Sequence, residues 1–135
     1  EFCGIDISRK TIERAKENLG SFNNVKLICG DFIDFNFERK FDVIYSSLTF
    51  MHISEKQKAF NSIKKLLVPN GKFVLPIDKN QADHIDIGTS KIKVYPDKPS
   101  DIEEYISNAD LKLSEHYETE FAHIFVCEYA TSSII

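Results

Sequence analysis

Short apolar runs alternate along this chain with segments whose apolar residues recur every three or four positions. The first run, residues 2–6, predicts a buried strand that ends at Asp6. The segment after it predicts an amphipathic helix whose inner face is formed by Ile12, Ala15 and Leu19. We expect Ser8 to cap this helix and Gly20 to end it in a left-handed conformation.

Two further apolar runs predict buried strands. Residues 25–29 form the first of them, and Asp31 follows its end after a glycine. Residues 41–45 form the second, which is followed by Ser46 and Ser47. Polar side chains therefore follow three consecutive predicted strands.

The next helix and strand have clear boundary signals. Ser54 and Gln57 have the spacing of a capping box, which predicts the start of a helix. Its buried stripe is formed by Phe60, Ile63, Leu66 and Leu67. The Pro-Asn-Gly sequence at residues 69–71 predicts a break that reverses the chain into a strand at residues 72–77.

The last third of the chain combines an irregular stretch with a regular end. Residues 78–98 have no clear period, apart from an alternation at residues 91–95 that is typical of a short surface strand, so we expect a long loop or lid. A short helix is predicted from Pro99. Residues 111–118 and 121–129 predict two strands whose short link makes them antiparallel neighbours.

This order of strands and helices predicts an α/β fold. Alternating elements require a mostly parallel sheet with helices on both faces, and the terminal hairpin adds an antiparallel strand. The length of 135 residues, with 42% hydrophobic and 28% charged residues, is typical of one globular domain. We therefore expect residues 1–135 to form a single domain.

Charge and composition narrow the classes of partner. The formal charge is −4 and the lysines are scattered, so a nucleic-acid partner is not expected. There is no apolar run long enough for a membrane span and no signal-peptide pattern, so we expect a cytoplasmic protein. Cys3, Cys29 and Cys127 lie in apolar runs without metal-ligand spacing, which predicts buried, reduced thiols and no metal site.

In an open α/β sheet, ligands bind beyond the carboxyl ends of the strands. Asp6, Asp31 and Ser46 fall at three such ends. A carboxylate at the position of Asp6 can accept hydrogen bonds from both hydroxyl groups of a ribose. The alternative is an acidic residue at a helix entrance that interacts favourably with the helix dipole.

The segments GIDIS, CGDF, FDVIYSS, MHI and LLVPNGKFVL, in this order and spacing, resemble class I S-adenosylmethionine-dependent methyltransferases. The resemblance covers nearly all of residues 2–129. It implies a Rossmann-like sheet that ends in a reversed hairpin, and S-adenosylmethionine as the cofactor. It also implies that Asp6 binds the ribose, that Asp31 accepts the adenine amine, that the Phe32 backbone N–H faces a ring nitrogen, and that Ile7 covers one adenine face. For Asp31, a turn residue that bonds its own backbone is the alternative.

The resemblance further implies that Ser46 and Ser47 lie where the methionine part of the cofactor and the substrate meet. Both residues are equally well explained as ordinary loop serines. His52 lies near the same mouth and is a substrate-side candidate, although a packed structural histidine is the favoured interpretation. Methyl transfer from a sulfonium requires a positioned nucleophile more than an acid or base, so no catalytic residue is assigned.

The family's glycine-rich loop and the strand before it are missing from this sequence. That strand would be central in the sheet, between the strands that end at Asp6 and Tyr45. The two strands could close on each other, a second chain could pair with the open edge as a homodimer, or the parent protein could have a longer amino-terminal part. We expect the longer parent protein, and weak cofactor binding by this piece alone.

The function predicted from these observations is methyl transfer to a small-molecule acceptor. A non-catalytic methyltransferase-like module or subunit is the first alternative. A nicotinamide-dependent oxidoreductase is the second, because Asp6 at a strand end would also suit that ribose.

Overall fold

A computed structural model describes residues 1–46 and 49–131 of the chain. These residues divide into two compact units, one from Glu1 to Glu38 and one from Arg39 onward. Ser47, a predicted substrate-side residue, lies outside the described residues.

The first unit is a strand–helix–strand arrangement, as predicted. Strand β1 (Phe2–Asp6) is followed by helix α1 (Arg9–Leu19) and strand β2 (Val25–Cys29). The two strands pair in parallel, with Asp6 opposite Cys29 at their carboxyl ends. Ile12 of α1 is buried, which confirms the predicted inner face of the helix.

The two ends of α1 differ in how well they were predicted. The Ser8 hydroxyl oxygen accepts a hydrogen bond from the Thr11 N–H at 3.3 Å, so the predicted cap is confirmed. The prediction for Gly20 is wrong, because its φ of −64° is right-handed. The chain leaves the helix through a right-handed turn, in which the Phe22 N–H donates to the Leu19 carbonyl at 3.0 Å.

The second unit contains a four-stranded mixed sheet. Its spatial order is β3 (Phe41–Tyr45), β4 (Leu67–Asp78), β8 (Ala122–Glu128) and β7 (Lys112–Glu118). The β3–β4 pair is parallel, and the other two pairs are antiparallel. The α/β class and the antiparallel terminal hairpin are therefore confirmed.

Two helices build the core of this unit. Helix α2 (Lys56–Leu66) brings Phe60 against Phe73 of β4, with ring centroids 5.8 Å apart. Helix α3 (Pro99–Asn108), predicted from Pro99, contacts α2 and β7. The largest fully buried side chains are Phe60, Leu67, Phe73, Leu75, Ile102, Ile106, Phe125 and Cys127.

The predicted capping box at the start of α2 is wrong. Glu55 is the N-cap residue, and it makes no side-chain capping bond. Gln57 instead donates from Nε2 to the Tyr105 carbonyl of α3 at 3.1 Å. The Gln57 side chain, which the local spacing predicted to cap α2, therefore forms a contact between α2 and α3.

The Pro-Asn-Gly sequence lies inside a strand and does not precede one. Strand β4 begins at Leu67, and its register with β3 shifts between Phe41 and Val43. Asn70 adopts a left-handed φ of 68°, and its N–H donates to the Tyr129 carbonyl at 2.8 Å. The predicted chain reversal is therefore wrong. Residues 69–71 form an irregularity within β4, and the chain there stays hydrogen-bonded to the residue that follows β8.

The irregular stretch at residues 78–98 contains a hairpin. Strand β5 (His84–Asp86) pairs antiparallel with β6 (Lys91–Lys93). The sequence predicted the second of these strands but not the first. The Tyr95 N–H donates to the Met51 carbonyl at 2.7 Å, which fixes the end of this stretch beside the segment that precedes α2.

The three cysteines differ in how exposed they are. Cys127 is buried and Cys3 is half-buried, but Cys29 is exposed, so the prediction of a buried thiol is wrong for Cys29. All three are free thiols.

Within the described residues, β1 pairs with β2 alone and β3 with β4 alone. None of the described helices is long and apolar enough to span a bilayer.

Candidate functional site

Four of the predicted cofactor residues lie at one edge of the first unit. Because β1 and β2 are parallel and in register to their last residues, their carboxyl ends meet. The Gly30 N–H donates to the Asp6 carbonyl at 2.9 Å and joins the two ends directly. The structure therefore brings Asp6 and Ile7 to the same edge as Asp31 and Phe32.

The Asp6 carboxylate takes part in the turn that leads into α1. Its Oδ1 accepts a hydrogen bond from the Ser8 N–H at 2.7 Å, and the residue is half-buried. An ionised carboxylate has about four acceptor sites, so this bond leaves most of its capacity for a ligand. The turn also holds the carboxylate in place at the strand end.

The Asp31 carboxylate occupies a similar local turn. Its Oδ1 accepts from the Ile33 N–H at 3.0 Å, while the Asp31 carbonyl accepts from the N–H groups of Asp34 and Phe35. Asp31 is exposed, so its remaining acceptor sites face solvent. The local hydrogen bond and the ligand role are therefore compatible for this residue.

Ile7 is an exposed apolar residue beside these carboxylates. Its side chain is 74% exposed, a large apolar surface for a residue at the mouth of a strand pair. Cys29 Sγ lies 3.6 Å from the Ile7 carbonyl oxygen. An exposed apolar side chain at the same edge as two acidic residues suits a ligand that has a flat ring and polar substituents.

In the second unit, Ser46 follows the end of β3. Its N–H donates to the Val74 carbonyl of β4 at 3.2 Å, which extends the parallel pairing by one residue. His52 is exposed in a 3₁₀ turn formed by residues 50–52, and its backbone N–H donates to the Thr49 carbonyl at 3.0 Å. Among the described residues, no cluster of His, Cys, Asp and Glu side chains could hold a metal ion, so neither residue belongs to one.

A cleft of about 250 Å³ lies at the end of β4 in this unit. Its walls are mainly apolar, formed by Phe50, Met51, Ile77, Ile85, Val94 and Phe121. His52 is not among the lining residues, although the two residues before it, Phe50 and Met51, are. Sequence reasoning did not find this cleft, and the absence of a clear period in residues 78–98 was its only local signal.

A buried ion pair stands beside the cleft. Lys56 Nζ lies 2.7 Å from Asp97 Oδ1, and the two side chains are 7% and 4% exposed. Lys56 Nζ also donates to the Phe50 carbonyl at 2.9 Å. No group other than Lys56 is found as a partner of the buried Asp97 Oδ1 among the described residues, so the lysine alone offsets the cost of burying this oxygen. Burial raises the pKa of Asp97, and the Lys56 ammonium opposes that rise.

The structure also joins two histidines that the sequence left apart. His116 Nε2 lies 3.1 Å from His123 Nδ1 across the β7–β8 hairpin. The His116 ring stacks on Phe125 with centroids 4.2 Å apart, and His123 Nδ1 lies 3.4 Å from Glu118 Oε1. Their cross-strand register, and not their spacing, creates this pair.

Residues 1–121 match a family model described as a methyltransferase domain. The match covers the β1–β2 edge and every lining residue of the cleft except Ala122. The chain belongs to this methyltransferase family. Membership confirms the family that the five sequence segments indicated.

Methyltransferases are also among the most similar relatives. Malonyl-[acyl-carrier protein] O-methyltransferase 1 of Ilyobacter polytropus is 40% identical over 68 residues, which are 50% of this chain and 25% of that protein. Demethylmenaquinone methyltransferase of Staphylococcus aureus is 32% identical over 75 residues, 55% of this chain and 31% of that protein. The chain thus spans about a quarter to a third of the length of these two relatives.

A solved structure shows the methyltransferase fold in this chain. An S-adenosylmethionine-dependent methyltransferase from Clostridium acetobutylicum superimposes with a TM-score of 0.77 at 16% identity. The superposition covers 96% of this chain and 75% of that one. The Rossmann-like fold expected from the sequence is therefore confirmed.

Proposed function

We propose that this protein transfers the methyl group of S-adenosylmethionine to a small-molecule acceptor. The observation that carries the proposal is the meeting of Asp6 and Asp31 at one edge, in a chain of the methyltransferase family. The two relatives support a small or carrier-linked acceptor, because their names give malonyl-acyl-carrier protein and demethylmenaquinone as substrates.

Four residues of the first unit would hold the nucleoside part of the cofactor. Asp6 accepts hydrogen bonds from the ribose hydroxyls, because Ser8 occupies only part of its acceptor capacity. Asp31 accepts the exocyclic amine of adenine, and the Phe32 N–H faces a ring nitrogen. Ile7 covers one face of the ring with its exposed side chain.

The other proposed contacts of the cofactor and the acceptor come from residues later in the chain. Ser46 lies near the methionine part of the cofactor, with Ser47 and His52 on the substrate side. The bound cofactor supplies an electrophilic methyl group. The protein's own contribution is to position the acceptor and exclude water, so no residue is assigned as a catalyst.

The setting of the activity is also part of this proposal. We propose that residues 1–135 act as one domain and that the protein is cytoplasmic. We further propose a homodimer that pairs through an open strand edge, with β3 as a candidate because it has one paired neighbour among the described residues. Nucleic acid and membranes are not proposed as partners.

Titration calorimetry with S-adenosylhomocysteine tests the cofactor assignment. We expect Asp6→Ala to weaken binding at least about tenfold, since a hydrogen bond to a charged group contributes about 1.5–3 kcal/mol. Asp34→Ala is the matched control, because Asp34 is an exposed carboxylate near the same edge that has no assigned role. Circular dichroism establishes that the variants are folded.

The outcomes separate the alternatives. The proposal is supported if the unsubstituted chain and Asp34→Ala bind S-adenosylhomocysteine and Asp6→Ala loses this binding. Binding of a reduced nicotinamide dinucleotide but not of S-adenosylhomocysteine would favour the oxidoreductase. A folded chain that binds neither ligand, even weakly, would contradict the proposal and favour the non-catalytic module.

A further inference from the structure

The cleft of the second unit is adjacent to a residue assigned to the cofactor. Ser46 donates its N–H to Val74, and Pro76, two residues farther along β4, lines the cleft. The proposed methionine position and the cleft are therefore neighbours along one strand. This adjacency makes the cleft the candidate place for the acceptor.

One wall of the cleft is formed by the segment that contains the β5–β6 hairpin. The Val94 N–H donates to the Asp83 carbonyl at 2.9 Å, and Gln81 Nε2 donates to the Asp97 carbonyl at 3.1 Å. These bonds close the base of the hairpin and place Ile85 and Val94 in the wall. The wall is therefore preformed, and its apolar side chains suit the body of an apolar ligand.

Two carboxylates are among the polar groups of the cleft. Asp78 and Asp97 line it together with Asn80 and His84, and among its described lining residues none is a lysine or an arginine. Asp97 Oδ1 is buried, and the Lys56 ammonium is its partner at 2.7 Å. A ligand carboxylate placed here would be repelled by Asp78, and the Lys56 ammonium beside the cleft is already paired with Asp97.

We propose that this cleft is the acceptor site, and that it takes an amphipathic acceptor with an apolar ring or chain and an uncharged or cationic hydrogen-bond donor group. The inference rests on the proposed function, because it assigns that function's acceptor. A hydroxyl or ammonium group donates to the carboxylates of Asp78 and Asp97. An acceptor that presents a free carboxylate to this cleft binds more weakly, because the Asp78 carboxylate repels it.

Three probes with one apolar body test the selectivity. 2-Phenylethylamine, 2-phenylethanol and phenylacetate differ chiefly in the charge of the head group. Each is titrated separately into the full chain without cofactor, and amide shifts are followed by nuclear magnetic resonance. We expect the amine and the alcohol to shift the amides of Ile85, Val94 and Asp97, with phenylacetate at least about tenfold weaker, or about 1.4 kcal/mol.

Two variants locate the binding. Asp97→Asn should reduce the preference for the amine over phenylacetate, if the variant folds. Phe121→Ser does not depend on that condition, because Phe121 is 73% exposed and lines the cleft. It should weaken the amine and the alcohol to a similar extent. Tyr117→Ser is its control, since Tyr117 is exposed and does not line the cleft.

The inference is overturned if phenylacetate binds as well as the amine. It is also overturned if no probe shifts the cleft amides, or if Phe121→Ser leaves all three titrations unchanged. Because the titrations contain no cofactor, failure of S-adenosylhomocysteine to bind would not affect them. A chain that binds S-adenosylhomocysteine but none of the probes would retain the proposed function and lose this inference.

Discussion

Lys56 and Asp97 form a buried ion pair that joins the first turn of α2 to the segment before α3, with Nζ and Oδ1 2.7 Å apart. The Lys56 ammonium also lies 5.1 Å from the centroid of the Phe50 ring and donates to the Phe50 carbonyl. One lysine therefore connects the start of α2 to two walls of the cleft.

Removing the lysine from this pair should destabilise the protein. Lys56→Met leaves the Asp97 carboxylate buried without a cation, which typically costs about 3–5 kcal/mol in the free energy of unfolding. Urea denaturation followed by circular dichroism measures this loss. The double variant Lys56→Met/Asp97→Leu should recover most of the stability, because it removes both charges. Equal losses in the single and double variants would show that packing, and not charge, is responsible.

The raised pKa of Asp97 predicts a specific pH dependence of stability. Its carboxyl group holds a proton more tightly in the folded protein than in the unfolded chain, where its pKa has the ordinary value of 3.8. Its contribution to stability is therefore greatest below that value and is lost as pH rises through the folded pKa. We expect the unsubstituted chain to lose stability relative to Asp97→Asn as the pH rises above 3.8. A relative gain over that range would mean that Lys56 outweighs burial.

Gly71 is expected to resist substitution. A Cβ atom at this position would lie 2.8 Å from the Val68 carbonyl oxygen and 3.2 Å from the Asp42 carbonyl oxygen. Both atoms belong to the backbone, so Gly71→Ala should lower the free energy of unfolding by about 1–3 kcal/mol. Gly30→Ala is the control, since its Cβ would meet only side-chain atoms at 3.7 Å or more. Equal midpoints of urea denaturation for the two variants would contradict the prediction.

Thiol reactivity should separate the cysteines. Cys29 is exposed, whereas burial raises the pKa of the Cys127 thiol to about 12. A disulfide reagent should therefore modify Cys29 in the native protein and reach Cys127 only after unfolding. Mass spectrometry of the digested protein assigns the modified residues. Loss of the native-state reaction in Cys29→Ser identifies Cys29 as its site.

The same reaction reports on the proposed cofactor edge. Because Cys29 Sγ lies 3.6 Å from the Ile7 carbonyl, S-adenosylhomocysteine should slow the modification of Cys29. Modification of Cys127 in unfolded protein serves as the control for reagent quenching. An unchanged rate at saturating ligand would place the cofactor away from this edge.

The paired carboxylates of the candidate site were predictable because they depend on local features. Apolar runs identify β1 and β2, and parallel strands in one sheet present their carboxyl ends at the same edge. Asp6 is the last residue of β1, and Asp31 follows the end of β2 after one glycine. Their meeting therefore required only the correct assignment of two strands and their direction.

The cleft and its ion pair were not predictable in the same way. Lys56 and Asp97 are far apart in the chain, and nothing in the spacing around either residue indicates the other. Gln57 had the position of a capping residue, yet it bonds to Tyr105, 48 residues away. His116 and His123 meet only because the register of β7 and β8 brings their side chains together.

The sequence by itself determined the α/β class, the helices α1 and α3, the terminal hairpin and the acidic edge of the first unit. Periodicity and local turn signals are properties of neighbouring residues, so these features need no knowledge of distant contacts. Tertiary structure alone decided the register shift within β4, the partner of Gln57 and the charged wall of the cleft. Each of these depends on the competition between a local hydrogen bond and a contact made across the fold, and packing of the whole unit decides which of the two forms.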